Sequence, residues 1–208
     1  MAKLPVAREG WPFVAVPAVV AGALLLLGRR FGALPFAAAA VASLGFFRDP
    51  ERDVPVLPSA VLAPADGRVT DVSDAVDGFV GSAVRVSIFL SPLDVHVTRA
   101  PIGGVVVDTV YRPGKFVAAY RPEAEDNESC TVHIQGENAR VTVTQIAGVV
   151  ARRIVCRVGA GDTLGPGARI GMIRFGSRTD IHMPRGTDVR VRPGDRVVGG
   201  VTVIGVLP

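Results

Sequence analysis

Three short segments of this 208-residue chain pair a reactive side chain with a backbone context that could put it to use. In Ala63-Pro64-Ala65-Asp66-Gly67-Arg68-Val69 a carboxylate stands at a Pro/Gly-framed turn ahead of a strand. Asp and Gly favour such turns on conformational grounds alone, so an ordinary turn is the competing reading. In Phe89-Leu90-Ser91-Pro92-Leu93-Asp94-Val95-His96-Val97-Thr98-Arg99-Ala100-Pro101 a hydrophobic strand ends in Ser-Pro and leads into Asp94, His96 and Arg99. An imidazole titrates near neutrality and can take and return a proton at physiological pH; a loop histidine without a role is the alternative. In Arg174-Phe175-Gly176-Ser177-Arg178-Thr179-Asp180 a hydrophobic strand runs into Gly-Ser. A Ser hydroxyl pressed onto the preceding carbonyl can attack its own backbone, and Gly has no side chain to block the approach. The dipeptide alone specifies nothing, because Gly81-Ser82 occurs in the same chain.

The elements that must position these groups are short. From Val54 onward, β-branched runs are punctuated by Gly, Pro and Asp, the pattern of an all-β domain with many turns. Strands are predicted over Val84 to Leu90, Val105 to Tyr111, Arg140 to Ile146, Arg153 to Val158, Arg169 to Phe175, Asp188 to Arg192 and Val201 to Val206, and Cys130 to Ile134 reads as an apolar strand in which His133 is structural. The polar stretch from Tyr120 to Ser129 reads as an exposed loop. Gly161-Asp162-Thr163-Leu164 recurs 33 residues later as Gly194-Asp195-Arg196-Val197. Each looks like a turn feeding a strand, which suits a compact β-sandwich or barrel of two similar halves, like a lipoyl carrier. The fold class is mainly β.

The front of the chain differs. Trp11 to Gly28 is 18 residues without a charge, Arg29 and Arg30 follow, and Phe31 to Phe47 adds 17 more. As helices these would cover about 25 to 27 Å, slightly short of the ~30 Å hydrocarbon core, so they either span it with thinning or lie in one leaflet as an anchor. A second apolar segment and the lack of a small-residue cleavage site argue against a secretory signal. Basic residues at both ends, Lys3 and Arg8, then Arg48 and Arg52, place those ends on the cytoplasmic face of the cell membrane. Two regions are expected: a hydrophobic helical hairpin over residues 1–50 and a β-rich domain over 51–208.

Composition narrows the function. Hydrophobic residues make up 49% and charged ones 20%, with a mean hydropathy of +0.38, which excludes disorder and a coiled coil. Of the 23 basic residues 21 are Arg, suiting an anionic partner. With 6% aromatics and no basic run longer than a pair, the anion is not nucleic acid, and a membrane surface fits better. Cys130 and Cys156 have no metal-ligand spacing and read as reduced core thiols; three histidines leave little for a zinc site, and no metal is expected.

In this order, behind a doubly apolar N-terminus, the motifs resemble the short proenzyme form of phosphatidylserine decarboxylase. The likeness rests on Pro64-Ala65-Asp66-Gly67, on Phe89-Leu90-Ser91-Pro92-Leu93-Asp94-Val95-His96, on Gln145-Ile146-Ala147-Gly148 followed by Ala151-Arg152-Arg153-Ile154, and on Arg169-Ile170-Gly171-Met172-Ile173-Arg174-Phe175-Gly176-Ser177. It covers roughly residues 10 to 208. The resemblance implies a precursor that cuts itself between Gly176 and Ser177. The Ser177 hydroxyl attacks the Gly176 carbonyl to give an ester, β-elimination releases residues 1–176, and the dehydroalanine left behind hydrolyses to a covalent pyruvoyl group, the cofactor. The large chain and the small chain, residues 177–208, stay associated. The mature enzyme is a carboxy-lyase that converts phosphatidylserine to phosphatidylethanolamine in phospholipid biosynthesis, with the pyruvoyl as electron sink.

The same resemblance gives Ser177, His96 and Asp66 as catalytic, His96 as the acid or base and Asp66 as the group that orients it. One departure stands out. Longer members carry two histidines three apart, whereas the second position here is Arg99, which cannot act as a base near neutrality. Arg99 is then expected to pair with Asp66 or hold a substrate anion. His182, alternating with Asp180 just beyond the cut, is a second candidate for substrate binding. Arg178-Thr179-Asp180 also departs from the Ser-Thr sequence of the longer form. Two alternatives stay open: the same chemistry on an ether lipid, as an archaetidylserine decarboxylase, and a membrane-tethered β module that binds and never cuts itself. A homo-oligomer is left open.

Overall fold

In the computed structural model, which describes residues 6–117, 124, 126–148, 153–174 and 177–208, the chain divides into two compact units, Met1–Glu51 and Arg52–Pro208. In the first, the uncharged segments form helices α1 (Trp11–Leu26) and α2 (Arg30–Phe46), joined by a turn in which Gly28 adopts φ +72°. Pro12 falls in the first turn of α1, where its missing N–H has no intrahelical acceptor to lose. The helices meet through small residues: Ala21, Ala33 and Ala40 are buried with Val14, while Val19, Leu26, Phe31 and Val41 are exposed. A helix pair apolar on its outer faces calls for an apolar medium. At the open end Ala7 N–H donates to Phe47 O at 2.8 Å and Phe13 stacks on Phe47 at 5.3 Å, so the chain enters and leaves the hairpin at the same end. Gly10 allows this, since a Cβ there would fall 2.4 Å from that of Phe47.

The second unit is β1 (Ala60–Leu62), β2 (Gly67–Asp77), β3 (Gly81–Leu90), β4 (Val97–Arg99), β5 (Gly104–Arg112), β6 (Ser129–Gln135), β7 (Arg140–Ile146), β8 (Ile154–Cys156), β9 (Thr163–Leu164), β10 (Arg169–Ile173), β11 (Ser177–Pro184), β12 (Asp188–Val189), β13 (Arg196–Val197) and β14 (Val203–Val206). An eight-stranded sheet runs β13-β2-β3-β11-β7-β6-β5-β9 and curls into a half-barrel; two three-stranded sheets run β4-β10-β8 and β1-β14-β12. Alternation sends Val86 and Ile88, Ile181 and Met183, Val141 and Val143, and Val132 and Ile134 into one core. The polar partners on the other strand faces, Arg85, Ser87, Arg178, Asp180 and His182, line the opposite side.

The two Gly-Asp turns do the same job at the two edges of the large sheet. Gly194 N–H donates to Val69 O and Val69 N–H to Asp195 O; Gly161 N–H donates to Val106 O and Val106 N–H to Asp162 O. Both glycines have positive φ, +101° and +92°. Both β2 and β5 carry a bulge just after the bonded valine. The two halves of the sheet are thus built alike.

Several expectations need correction. The strand over Asp188 to Arg192 shortens to β12 and the one over Arg153 to Val158 to β8. The strand expected beyond the Asp66 turn is β2, whereas β4 is too short and β11, with Arg178 and Asp180, too charged to be read from apolar alternation. The loop from Tyr120 to Ser129 is not simply exposed: Asn127, Glu128 and Ser129 are buried, and Asn127 Nδ2 donates to Ala147 O at 2.7 Å while its Oδ1 accepts from Val117 N–H. The remainder of that stretch lies largely outside the described residues. Cys156 is half-buried rather than a core thiol.

Candidate active site

Two crossings between sheets build the site. Strand β10 lies between β4 and β8, whereas β11 lies between β3 and β7, so the chain passes from one sheet to the other between Ile173 and Ser177. Residues 91–96 make the same passage from β3 to β4. Their described ends lie together: Ser177 is opposite Leu90 and Ile173 N–H donates to His96 O at 3.1 Å. His96 is thereby carried to the segment that holds the Gly-Ser bond. Phe175, Gly176, Ala151 and Arg152 lie outside the described residues.

Ser177 opens β11 fully buried, and its Oγ makes no hydrogen bond. His96 is also fully buried, with Nδ1 2.9 Å from Asp94 O. A carbonyl can only accept, so Nδ1 carries the proton in the neutral ring and Nε2 the lone pair. Asp94 shapes the loop that presents this ring: its Oδ2 accepts from Ser91 N–H at 2.8 Å and Ser91 Oγ–H at 2.7 Å.

Asp66 sits at the turn into β2, where Gly67 is pressed so closely on β3 that a Cβ would fall 2.2 Å from Phe89 O. By register this turn lies beside Phe89 and Leu90, two strand spacings or roughly 10 Å from Ser177. Its carboxylate does not meet His96. Oδ2 takes Arg52 Nη2 at 2.8 Å and Oδ1 takes Gly199 N–H at 2.8 Å, so the expected orienting contact and the Arg99–Asp66 pair are both replaced. The reason is steric and local: Gly199 packs on Ala65, which brings its amide to the turn.

Arg99 is buried on the face of β4 opposite His96 and Thr98, with Nη1 donating to Gly167 O at 3.1 Å and its stem against Gly200. It is not brought to Ser177. Nor is His182, five residues down β11, about 17 Å away and on the other strand face, with Nδ1 4.0 Å from Asp77 Oδ2. Burial holds the His182 pKa below its ordinary value, and Asp77 opposes that only in part. His133 stacks on Phe79 at 4.8 Å.

Apolar patterning hid three further residues. Gln145, Thr98 and Thr179 are all fully buried on the same side as Ser177 and His96. Gln145 stands opposite Thr179 and donates from Nε2 to Thr98 Oγ1. The Gln145 Oε1 and Thr179 Oγ1 make no hydrogen bond. The available signal was a glutamine following Val141 and Val143 at core spacing. Nearby, the half-buried Cys156 thiol has Val158 O at 3.4 Å; the neighbouring Cys130 lowers the Cys156 pKa, while Cys156 and burial raise that of Cys130.

Comparison with known proteins gives the family. The family described as phosphatidylserine decarboxylase matches residues 42–205. The phosphatidylserine decarboxylase proenzyme of Burkholderia mallei (strain SAVP1) is 45% identical over 206 residues, 98% of this chain and 95% of that protein. The proenzymes of Burkholderia pseudomallei (strain 1106a) and Burkholderia lata are 44% and 42% identical, covering 98% and 97% of this chain and 95% and 96% of theirs. On this extent of likeness the chain belongs to the phosphatidylserine decarboxylase family of carboxy-lyases.

Proposed function

We propose that the chain is made as a precursor, cuts its own Gly176–Ser177 bond, and then decarboxylates phosphatidylserine to phosphatidylethanolamine. The observation that carries this reading is the Ser177 hydroxyl, fully buried without a hydrogen bond, on a crossing bonded to the His96 segment. Burying an unpartnered hydroxyl costs about 1–3 kcal/mol, and such groups call for a functional explanation. A pyruvoyl group derived from Ser177 fits there, because it would replace that hydroxyl at the first position of β11. When formed, it supplies a ketone that condenses with a primary amine and accepts the electron pair left by carbon dioxide.

The chain's own residues do the rest. Nε2 of His96, with Nδ1 held on Asp94 O, takes the Ser177 proton in self-cleavage and delivers a proton after decarboxylation. Asp66 is a positioning residue that, with Arg52 and Gly199, holds the turn against the end of β3. The small chain remains bound because β11 is paired on both edges, with β3 and β7. The apolar hairpin anchors the enzyme at the cytoplasmic face of the cell membrane; Arg8–Leu26 is long and apolar enough to cross it. The test is intact mass together with decarboxylation of ester-linked and ether-linked phosphoserine lipids in vesicles. Two chains, the smaller bearing pyruvoyl in place of Ser177, with carbon dioxide release, are expected; an active protein with Ser177 unaltered would falsify the reading.

A further inference from the structure

The strand that directly follows His96, β4, and the strand that Ser177 opens, β11, belong to different sheets. Of the connections between the two sheets, those from β3 to β4 and from β10 to β11 lie beside the site, and under the reading just proposed the second is severed when the precursor matures. A buried hydrogen bond lies between the same sheets: Gln145 Nε2, on β7 beside β11, donates to Thr98 Oγ1, on β4 two residues beyond His96 and on its face. Space for the amide is made by Gly171, where a Cβ would stand 2.7 Å from Gln145 Nε2 and 2.4 Å from Val155 O.

An amide at this place is costly. The preceding positions on the same face, Val141 and Val143, are apolar, and an aliphatic side chain at 145 would fill the core without burying an Oε1 that has no partner. The bond it does make is the one that reaches the strand following His96.

We infer that Gln145, through Thr98, is a positioning residue that keeps His96 aligned with residue 177 after the chain is cut. In the precursor the segment from Ile173 to Ser177 supplies that alignment covalently, so the hydrogen bond matters little. In the cut enzyme the crossing through residues 91–96 remains, and the Gln145–Thr98 bond holds the strand it leads into.

The test is Thr98→Val in the full chain, which keeps shape and loses the hydroxyl, with Thr98→Ser as the restoring variant. Self-cleavage is timed by the appearance of two chains, and kcat and KM are measured on phosphatidylserine vesicles using fully cut protein. The expected result is cleavage within about twofold of wild type and KM within about twofold. The cut enzyme should lose roughly tenfold in kcat, the size of one buried hydrogen bond left unmade, and Thr98→Ser should restore most of it. If Thr98→Val does not fold, Gln145→Met reads the same quantities. An unchanged kcat, an equal loss in cleavage and turnover, or failure of serine to rescue overturns the inference while the functional reading stands. A wild-type chain that neither cuts itself nor decarboxylates overturns both.

Discussion

The hydroxyl of Ser177 and the imidazole of His96 are both enclosed, so each substitution there reads chemistry with little change of surface. Ser177→Ala should remain a single 208-residue chain without decarboxylase activity, read by intact mass; efficient processing would sink the assignment. His96→Ala should slow self-cleavage, turnover or both by about 10²–10⁴-fold, the usual worth of a positioned acid or base, and wild-type rates in both assays would remove it from the site. The thiols offer an independent check on geometry. With Cys156 lowered in pKa and half-buried and Cys130 raised and buried, one equivalent of an alkylating reagent at pH 7 should label Cys156. Peptide mapping that finds Cys130 labelled first would contradict the pairing.

Turns govern stability at the scale of the element. The β2–β3 hairpin is closed by Asp77, whose Oδ1 accepts from Phe79 N–H at 2.9 Å, Val80 N–H at 2.8 Å and Thr142 Oγ–H at 2.9 Å. Burial pushes its pKa up, but these bonds together outweigh that and leave it below the ordinary value. Its stabilisation is present above the unfolded carboxylate value and is lost as pH falls through the lower folded one. His182, on β11 beside it, is depressed by burial, so the unfolded chain binds its proton first and stability falls as pH drops below about 6.5. Thermal melts of the uncut Ser177→Ala chain from pH 7.5 to 5 should therefore show Tm declining. His182→Gln should flatten that decline; an equal slope in both would show that His182 is not its source. Gly67→Ala should destabilise by more than about 2 kcal/mol in denaturant melts, since φ is +152° and the new Cβ would strike Phe89 O.

Across the whole molecule, the split into Met1–Glu51 and Arg52–Pro208 sets up the last prediction. Deleting residues 1–47 keeps Arg52 for Asp66 and leaves every strand intact, so the shortened chain should still cut itself while moving from the membrane fraction to the supernatant. Persistent sedimentation with membranes would place the anchor on another surface. The large and small chains should co-elute after cleavage, because removing β11 would leave β3 and β7 each with one unpaired edge inside the sheet.

Local chemistry made much of this legible in the sequence. Uncharged segments around Arg29 and Arg30 dictate a helical pair, alternating β-branched residues dictate strands such as β7, and Gly-Asp turns announce repeated edges, because each depends on neighbours in the chain. The motif around His96 and Ser177 could also be read there. Tertiary pairing alone decided who meets whom. It brought His96 beside Ile173 and turned Arg99 to the opposite face; it gave Asp66 to Arg52 and Gly199, and sent His182 to Asp77 far from the cut. Gln145 stood in a motif of the sequence, but its contact with Thr98 was decided by the pairing of the sheets. Sheets join residues distant in sequence, and their register is set by packing summed over both faces, a quantity that no local run of residues contains.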